Sequence, residues 1–313
     1  MVDVCLLGCG GKSPQPNRSL TSMFIRSQGV GILIDAGEGT QVNLKACHIS
    51  CKSIDVICLT HYHADHTLGL PGVLNEISNT GRKEPVTIMG PKGLDKILDA
   101  VKTLTPVLGF PIIREEIPTD VKLYKFAPFL LTAFSVKHTV PCYGYSIYLE
   151  RHGKVDIEKA EANDVPSELW PVLQSGEDVE IDGIRYEPSM ILGPERKGIK
   201  VTYATDTLPC DNIAKHGYKS DLMILEGMYD SKENYRKSRV TRHMMFNEAA
   251  KIAKDADAEE LWLTHYSPRL ADPRQTLAKI RNIFPNTYVN MSLKVKTLSF
   301  QNDKLCDSRP LGV

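Results

Sequence analysis

A chain of 313 residues, 42% apolar and 24% charged, has the length and patterning for a packed core, either as one large α/β domain or as two small ones. Its 38 basic and 38 acidic residues cancel, so the whole molecule does not attract nucleic acid or acidic membranes, and a phosphate-rich partner has to be met by a local patch. No stretch approaches the roughly 18 apolar residues of a membrane span, and eight scattered cysteines without a CxxC pair fit reduced thiols in a cytoplasm better than a disulfide framework.

The N-terminal MVDVCLLGCGG reads as a strand and glycine turn, not a signal peptide. SMFIRS and GILIDAG are predicted as strands paired across the turn-prone Gln28–Gly29. VNLKAC is a short helix, with Cys47 and Cys51 four apart on one face. VICLT (56–60) has the low polarity of a buried strand. GLPGVLNEIS follows as a helix with Leu70, Val73, Leu74 and Ile77 on one side. VTIMG is the next strand, KGLDKILDAVKTL an amphipathic helix, and FLLTAFSVKH and GYSIYLE two further strands. From about residue 151 to 197 the chain turns polar and aperiodic, too long for an ordinary loop, and is predicted to be an inserted arm. The strands VTYATDT, LMILEG and LWLTHYS then alternate with the helices CDNIAKHG and HMMFNEAAKIAKDA. RQTLAKIRNIF is expected as the last helix and YVNMSL–KVKTLSF as a closing strand pair.

Directly after VICLT stands THYHADH, with His61, His63, Asp65 and His66 within six residues. On an extended segment His61 and His63 point the same way. Asp65 and His66 follow after a change of direction, so the two sets can face two ions. Zinc accepts imidazole and carboxylate ligands, and a pair of ions about 3.5–4 Å apart can clamp both oxygens of a phosphoryl displacement. Four ligands are too few for two ions. His138, Asp206 and His265 each stand where a buried strand runs out, as site residues of α/β proteins do. Asp206 is the expected bridging carboxylate.

DAGEGTQ, THYHADH, SVKHTVPCYGY, YATDT and LTHYSPR resemble the five sequence blocks of the metallo-β-lactamase superfamily, and GEGTQ, the GY after the third block and THxSxR narrow the resemblance to short-form ribonuclease Z. Asn17–Arg18 and GPKG (90–93) also fit. The resemblance implies a four-layer αββα sandwich, here a single domain over 1–313 carrying the arm. It implies His61, His63, His138 and Asp206 on one ion, and Asp65, His66, Asp206 and His265 on the other, both zinc, with manganese or iron as alternatives. Asp35 would orient ligands without touching metal, and Asp65 would also handle the proton of the attacking water. The implied activity is a zinc-dependent endoribonuclease, a phosphodiesterase that removes the 3′ trailer of precursor tRNA, working as a cytoplasmic homodimer.

Glu226 in LEGMY and His243 in RHMMF match the family's Glu and His of HEATF and HST. They imply a carboxylate-held imidazolium that protonates the leaving ribose oxygen. Leu225 and Met244–Met245 depart from those blocks. The arm lacks the family's Gly-Pro step, reading Pro166-Ser167-Glu168-Leu169-Trp170, and carries Glu158, Glu161, Asp164, Glu168, Glu177, Asp178 and Glu180. These departures motivate the alternative of a smaller phosphodiester or another ester as substrate. Arg18 and Arg269 are the expected substrate contacts. The basic run Lys232, Arg236, Lys237, Arg239 and Arg242 reads either as a phosphate-binding rim or as a solvated loop. A diiron redox site would replace His63 with Glu, and His63 is intact.

Overall fold

Two seven-stranded sheets lie face to face in a computed structural model that describes residues 1–301. The first sheet takes β1 (Val2–Gly8), β2 (Ser22–Ser27), β3 (Val30–Ile34), β4 (Val56–Cys58), β5 (Val86–Gly90) and β6 (Ile112–Glu116). Strands β1 to β3 run antiparallel through the expected Gln28–Gly29 turn, where both residues have positive φ, 49° and 86°. Strands β3 to β6 are parallel, with α1 (Thr40–Ala46), α2 (Ala64–Thr67), α3 (Leu70–Asn79) and α4 (Leu94–Leu104) in the connections.

The second sheet begins with β7 (Val121–Phe126), β8 (Phe129–Ser135) and β9 (Tyr143–Leu149), an antiparallel meander. The arm follows. It is less formless than its sequence: α5 (Ile157–Ala162), α6 (Trp170–Gln174) and the hairpin β10 (Val179–Ile181)–β11 (Ile184–Tyr186) enclose a small core of Ala160, Val165, Leu169, Leu173 and Ile191. Its acidic side chains face water. The sheet then resumes with β12 (Ile199–Ala204), β13 (Leu222–Glu226), β14 (Leu261–Thr264) and β15 (Thr287–Tyr288), parallel to one another. Between and beyond these lie α7 (Asp211–Gly217), α8 (Tyr235–Thr241), α9 (Phe246–Asp255) and α10 (Leu277–Arg281).

Period-two alternation explains the four layers. In β1, Val4 and Leu6 point between the sheets, into a core shared with Leu131, Ile147, Val201 and Tyr203. Cys5 and Leu7 point the other way, against Leu44, Val73, Leu74 and Leu98 of the helices. On the far side, the second sheet's core extends to Ile213 of α7, Ala249 and Ala253 of α9 and Ile280 of α10. The result is the expected αββα sandwich.

Three expectations change. Helix α9 starts at Phe246, three residues later than its pattern suggested, because Met245 pairs with Tyr229 as an extended bridge and Met228 N–H donates to the Met244 carbonyl at 3.2 Å. YVNMSL and KVKTLSF do not pair with each other: β15 joins β14, whereas β16 (Val295–Leu298) crosses to the first sheet and pairs with β1. Strands β6 and β7, IIREE and VKLYKF, escaped the pattern because they are partly exposed sheet edges rich in charge.

Candidate metal centre

The ends of β4, β8, β12, β13 and β14 open at one rim, and the segments leaving them carry every candidate ligand. After β4 the backbone stays extended through His63 (ψ 151°) and then coils into α2, so His61 and His63 precede a redirection that presents Asp65 and His66. Asp35, Asp206 and His265, each just past a strand, all have left-handed backbones, with φ of 58°, 55° and 55°. Such residues cluster where a fold spends conformational strain on a site.

The candidate ligands converge in two sets, and His243 forms a third grouping with Asp206 and His265. One nitrogen or oxygen from each of His61, His63, His138 and Asp206 lies within 4.8 Å of the others, and so does one from each of Asp65, His66 and His265. Asp206 faces both. Its Oδ1 is 3.9 Å from His61 Nε2 and 3.8 Å from His138 Nε2, while Oδ2 is 3.1 Å from His66 Nε2 and 3.2 Å from His265 Nε2. Asp65 Oδ2 lies 3.4 Å from His265 Nε2. His63 Nδ1 and His138 Nε2 meet at 3.3 Å, as do His66 Nε2 and His265 Nε2. Two imidazole nitrogens that close repel unless a proton or a cation takes their lone pairs. His61 Nε2 is buried with no hydrogen-bond partner and is aimed into the cluster, an orphaned atom that a cation would satisfy. The donor set fits divalent ions.

Behind the candidate ligands a second layer fixes their orientation. Asp35, fully buried, accepts from the Thr60 N–H at 2.8 Å and from His66 Nδ1 at 2.8 Å, which commits His66 Nε2 to the centre. Gly11 packs under His265: a Cβ there would sit 2.6 Å from the ring. Glu226, at the end of β13 and fully buried, accepts from the Thr207 N–H at 2.5 Å and from His243 Nδ1 at 2.9 Å. His243 is itself buried, because the extended 243–245 segment presses it against this carboxylate.

Charge separates the imidazoles. Burial and the neighbouring His66 hold His61 well below its ordinary value. Burial would lower His66 too, but Asp206 and Asp35 outweigh it and hold the ring well above. Against the same burial, Asp206 and Asp65 lift His265 to about 10, and Glu226 raises His243. Burial opposes ionisation of Asp206, yet His265, His66 and His61 hold it far below the carboxylate range.

The residues 17–175 match the model of the Metallo-beta-lactamase superfamily, and 187–266 match the Beta-lactamase superfamily domain. A Ribonuclease Z of Clostridium acetobutylicum is 44% identical over 309 residues, covering 97% of this chain and 100% of that protein. A Ribonuclease Z of Agathobacter rectalis is 46% identical over 303 residues, with 97% and 100% covered. The chain belongs to the ribonuclease Z family. The crystal structure of the short form of human tRNase Z shares the fold, with a TM-score of 0.69 at 24% identity, covering 95% of this chain and 100% of that one. A diphosphatase of the PhnP family has the same frame at a TM-score of 0.62 and 16% identity, with 96% and 99% covered.

As a ribonuclease Z family member the chain is a metal-dependent hydrolase of the endoribonuclease class. No described helix is long and apolar enough to cross a membrane. The substrate contacts expected from sequence are distributed unevenly. Arg18 lies over the Tyr266 ring at 5.5 Å and donates to the carbonyls of Ser267, Leu270 and Ala271 at 3.3, 2.9 and 3.4 Å, so its guanidinium clamps the loop that follows His265. Arg269 is exposed on that loop. The basic run starts at Lys232 in a 3₁₀ turn, passes through α8 with Arg236, Lys237 and Arg239, and ends at Arg242 just past it: Arg239 is held by Glu248, Arg242 donates to the His138 carbonyl, and Lys237 lines the cleft. Lys12, also on the cleft, drew no notice in the sequence, where nothing but the preceding glycines marks it. Cys47 and Cys51 do not share a helix: α1 ends at Ala46, Cys51 opens a separate 3₁₀ turn, and the Cys47 sulfur lies 3.4 Å from that of Cys5. Cys306 lies outside the described residues.

Proposed function

We propose that this chain is a two-zinc phosphodiesterase that removes the 3′ trailer of precursor tRNA. One observation carries the reading: the two oxygens of Asp206 face two different imidazole sets, with a buried Glu226–His243 pair beside them. His61, His63, His138 and Asp206 would hold one ion, and Asp65, His66, Asp206 and His265 the other. When bound, the ions supply Lewis-acid charge and lower the pKa of a water at neutral pH. The chain's own groups do the rest. Asp65 accepts a proton from the attacking water. His243, kept cationic by Glu226, gives its proton to the departing 3′ oxygen of the ribose. Asp35 keeps His66 in the tautomer whose Nε2 can ligate.

A homodimer belongs to the proposal because the resemblance to the short form implies one. The proposed substrate places the work in the cytoplasm. The test is incubation of the zinc- or manganese-loaded protein with a precursor tRNA bearing a 3′ trailer, with sedimentation to give the oligomeric state. Asp206→Ala and His63→Ala should abolish cleavage and lower metal content, whereas His243→Ala should impair cleavage at unchanged metal content. Turnover of a chromogenic phosphodiester with every precursor tRNA left intact would instead favour the smaller substrate.

A further inference from the structure

The cleft over the metal centre, about 350 Å³, has the candidate ligands as its floor and two walls of different origin. One wall is the loop after β1, the other is α8 with the Met228–Tyr229 segment. Each wall brings one lysine, Lys12 and Lys237. Three neighbouring cations are already engaged, while Arg269 stands exposed on the loop after His265. Arg18 is spent on three carbonyls, Arg239 on Glu248, and Arg242 on the carbonyl of His138. Neither lysine has a carboxylate partner among the described residues, and both are exposed.

Both lysines are nevertheless held in place. Lys12 has a left-handed backbone, φ 72°, and its N–H donates to Asp65 Oδ2 at 2.5 Å, which fixes its wall to a candidate ligand. Lys237 lies over the ring of Tyr229, its Nζ 5.3 Å from the centroid, an aromatic face that steadies an ammonium without neutralising it. Helix α8 is pinned to the centre by a reciprocal pair: Arg242 donates to the His138 carbonyl, and His138 Nδ1 faces the Arg242 carbonyl at 3.3 Å. Two uncompensated cations on opposite walls, one anchored through its backbone and one lying over an aromatic ring, suit a ligand whose negative charge extends beyond one group. A polynucleotide carries a phosphate on either side of the one being cut, whereas a small ester does not.

We propose that Lys12 and Lys237 form a phosphate subsite that grips the phosphodiesters flanking the scissile one, and thereby selects a polynucleotide over a small ester. The inference rests on the endoribonuclease reading and adds to it the residues that measure the length of the substrate. Contacts of this kind position the backbone and read no sequence.

The test is equilibrium binding of precursor tRNA in EDTA, followed by fluorescence anisotropy across a salt series, so that the readout does not depend on metal loading. Lys12→Ala and Lys237→Ala should each flatten the slope of log affinity against log salt by roughly 0.7–0.9, the value for one lost phosphate contact. Lys237→Arg should restore it, and Lys232→Ala, which does not line the cleft, serves as the control. In the loaded enzyme the same variants should raise KM for RNA with kcat nearly unchanged. Salt slopes equal to wild type in both alanine variants would overturn the proposal, as would a loss confined to kcat. A wild-type protein that hydrolyses a chromogenic phosphodiester but cuts no RNA would overturn the parent reading and this one together. Failure of the lysine variants alone would leave the parent reading standing.

Discussion

The sharpest test of the centre lies outside its ligands, at Asp35. Its carboxylate accepts from the Thr60 N–H and from His66 Nδ1, both at 2.8 Å, in a region with no exposure to solvent. A carboxylate only accepts, so His66 must donate from Nδ1, and the proton an ion would displace is the one on Nε2. In Asp35→Asn the shape is kept, and asparagine tolerates the left-handed backbone that Asp35 adopts at φ 58°. The amide oxygen can still serve Thr60, which turns the NH2 toward His66, donor against donor. The ring then keeps a repulsive contact or switches tautomer, and the switch places its proton on Nε2, where the ion should be. A buried hydrogen bond to a charged partner is worth about 1.5–3 kcal/mol. A loss of about 2 kcal/mol corresponds to roughly 30-fold weaker binding. Titration of the metal-free protein with zinc against a chromophoric chelator should therefore show one site weakened by about that factor and the other nearly intact, with the fold preserved by circular dichroism. Two sites of wild-type affinity in Asp35→Asn would refute the orienting role and the assignment of His66 Nε2 as a ligand.

Other perturbations probe separate parts of the molecule. Gly11→Ala would push a methyl group to within 2.6 Å of the His265 ring, so phosphodiesterase activity should fall at least tenfold while thermal stability changes little; wild-type turnover would show that the ring has room to move. His216, stacked on Phe134 with Nε2 buried and unpartnered, has its pKa lowered to about 4 by burial first and then by Lys215 and Lys200. A depressed histidine pKa means that the neutral ring's contribution is complete above the unfolded value of about 6.5 and is lost as pH falls from there toward 4. Urea titrations should show wild type losing about 2 kcal/mol more than His216→Phe between pH 7.5 and pH 5, and parallel losses would count against the shift. Cys5 and Cys47, with sulfurs 3.4 Å apart, should be oxidised by diamide to a disulfide, the two thiols giving up two electrons and two protons to the reagent. Peptide mapping should find that bridge and none from Cys47 to Cys51, and should lose it in Cys47→Ser.

What could be read in the chain and what could not divide along physical lines. The candidate ligands were legible because cost marks them: three imidazoles and a carboxylate packed behind VICLT are costly outside water or a metal site, and the strand-end residues His138, Asp206 and His265 gain their weight beside that string. The helix faces of α3 and α4 were legible from their periodicity. Strands β6 and β7 were not, because an edge strand of IIREE or VKLYKF buries little and so carries no apolar signature. The partner of β16 was hidden because pairing with β1 is a contact across almost the whole length of the chain. The roles of the cations were hidden for a related reason. Arg18 and Lys12 are six residues apart in one loop, and only folded geometry shows that the first is consumed by carbonyls while the second stays available.

The charges of the centre explain how a chain without net charge can serve a polyanion. Asp35, Asp65, Asp206 and Glu226 place four carboxylates in or beside one buried cluster, where isolated ions would be costly. Without metal, the three imidazoles whose pKa values are raised, His66, His243 and His265, can carry protons that offset most of that negative charge. Two divalent ions held as proposed would bring four positive charges and displace the protons from His66 and His265, because a ligating nitrogen must be free. His243, bonded to Glu226 and outside both proposed ligand sets, keeps its proton. The loaded cleft is therefore more positive than the ion-free one, and the attraction for a phosphate chain is built locally, between Lys12 and Lys237, instead of being spread over the surface. An acidic arm is compatible with that arrangement: with the positive field confined to the cleft, exposed carboxylates elsewhere discourage RNA from settling where it cannot be cut.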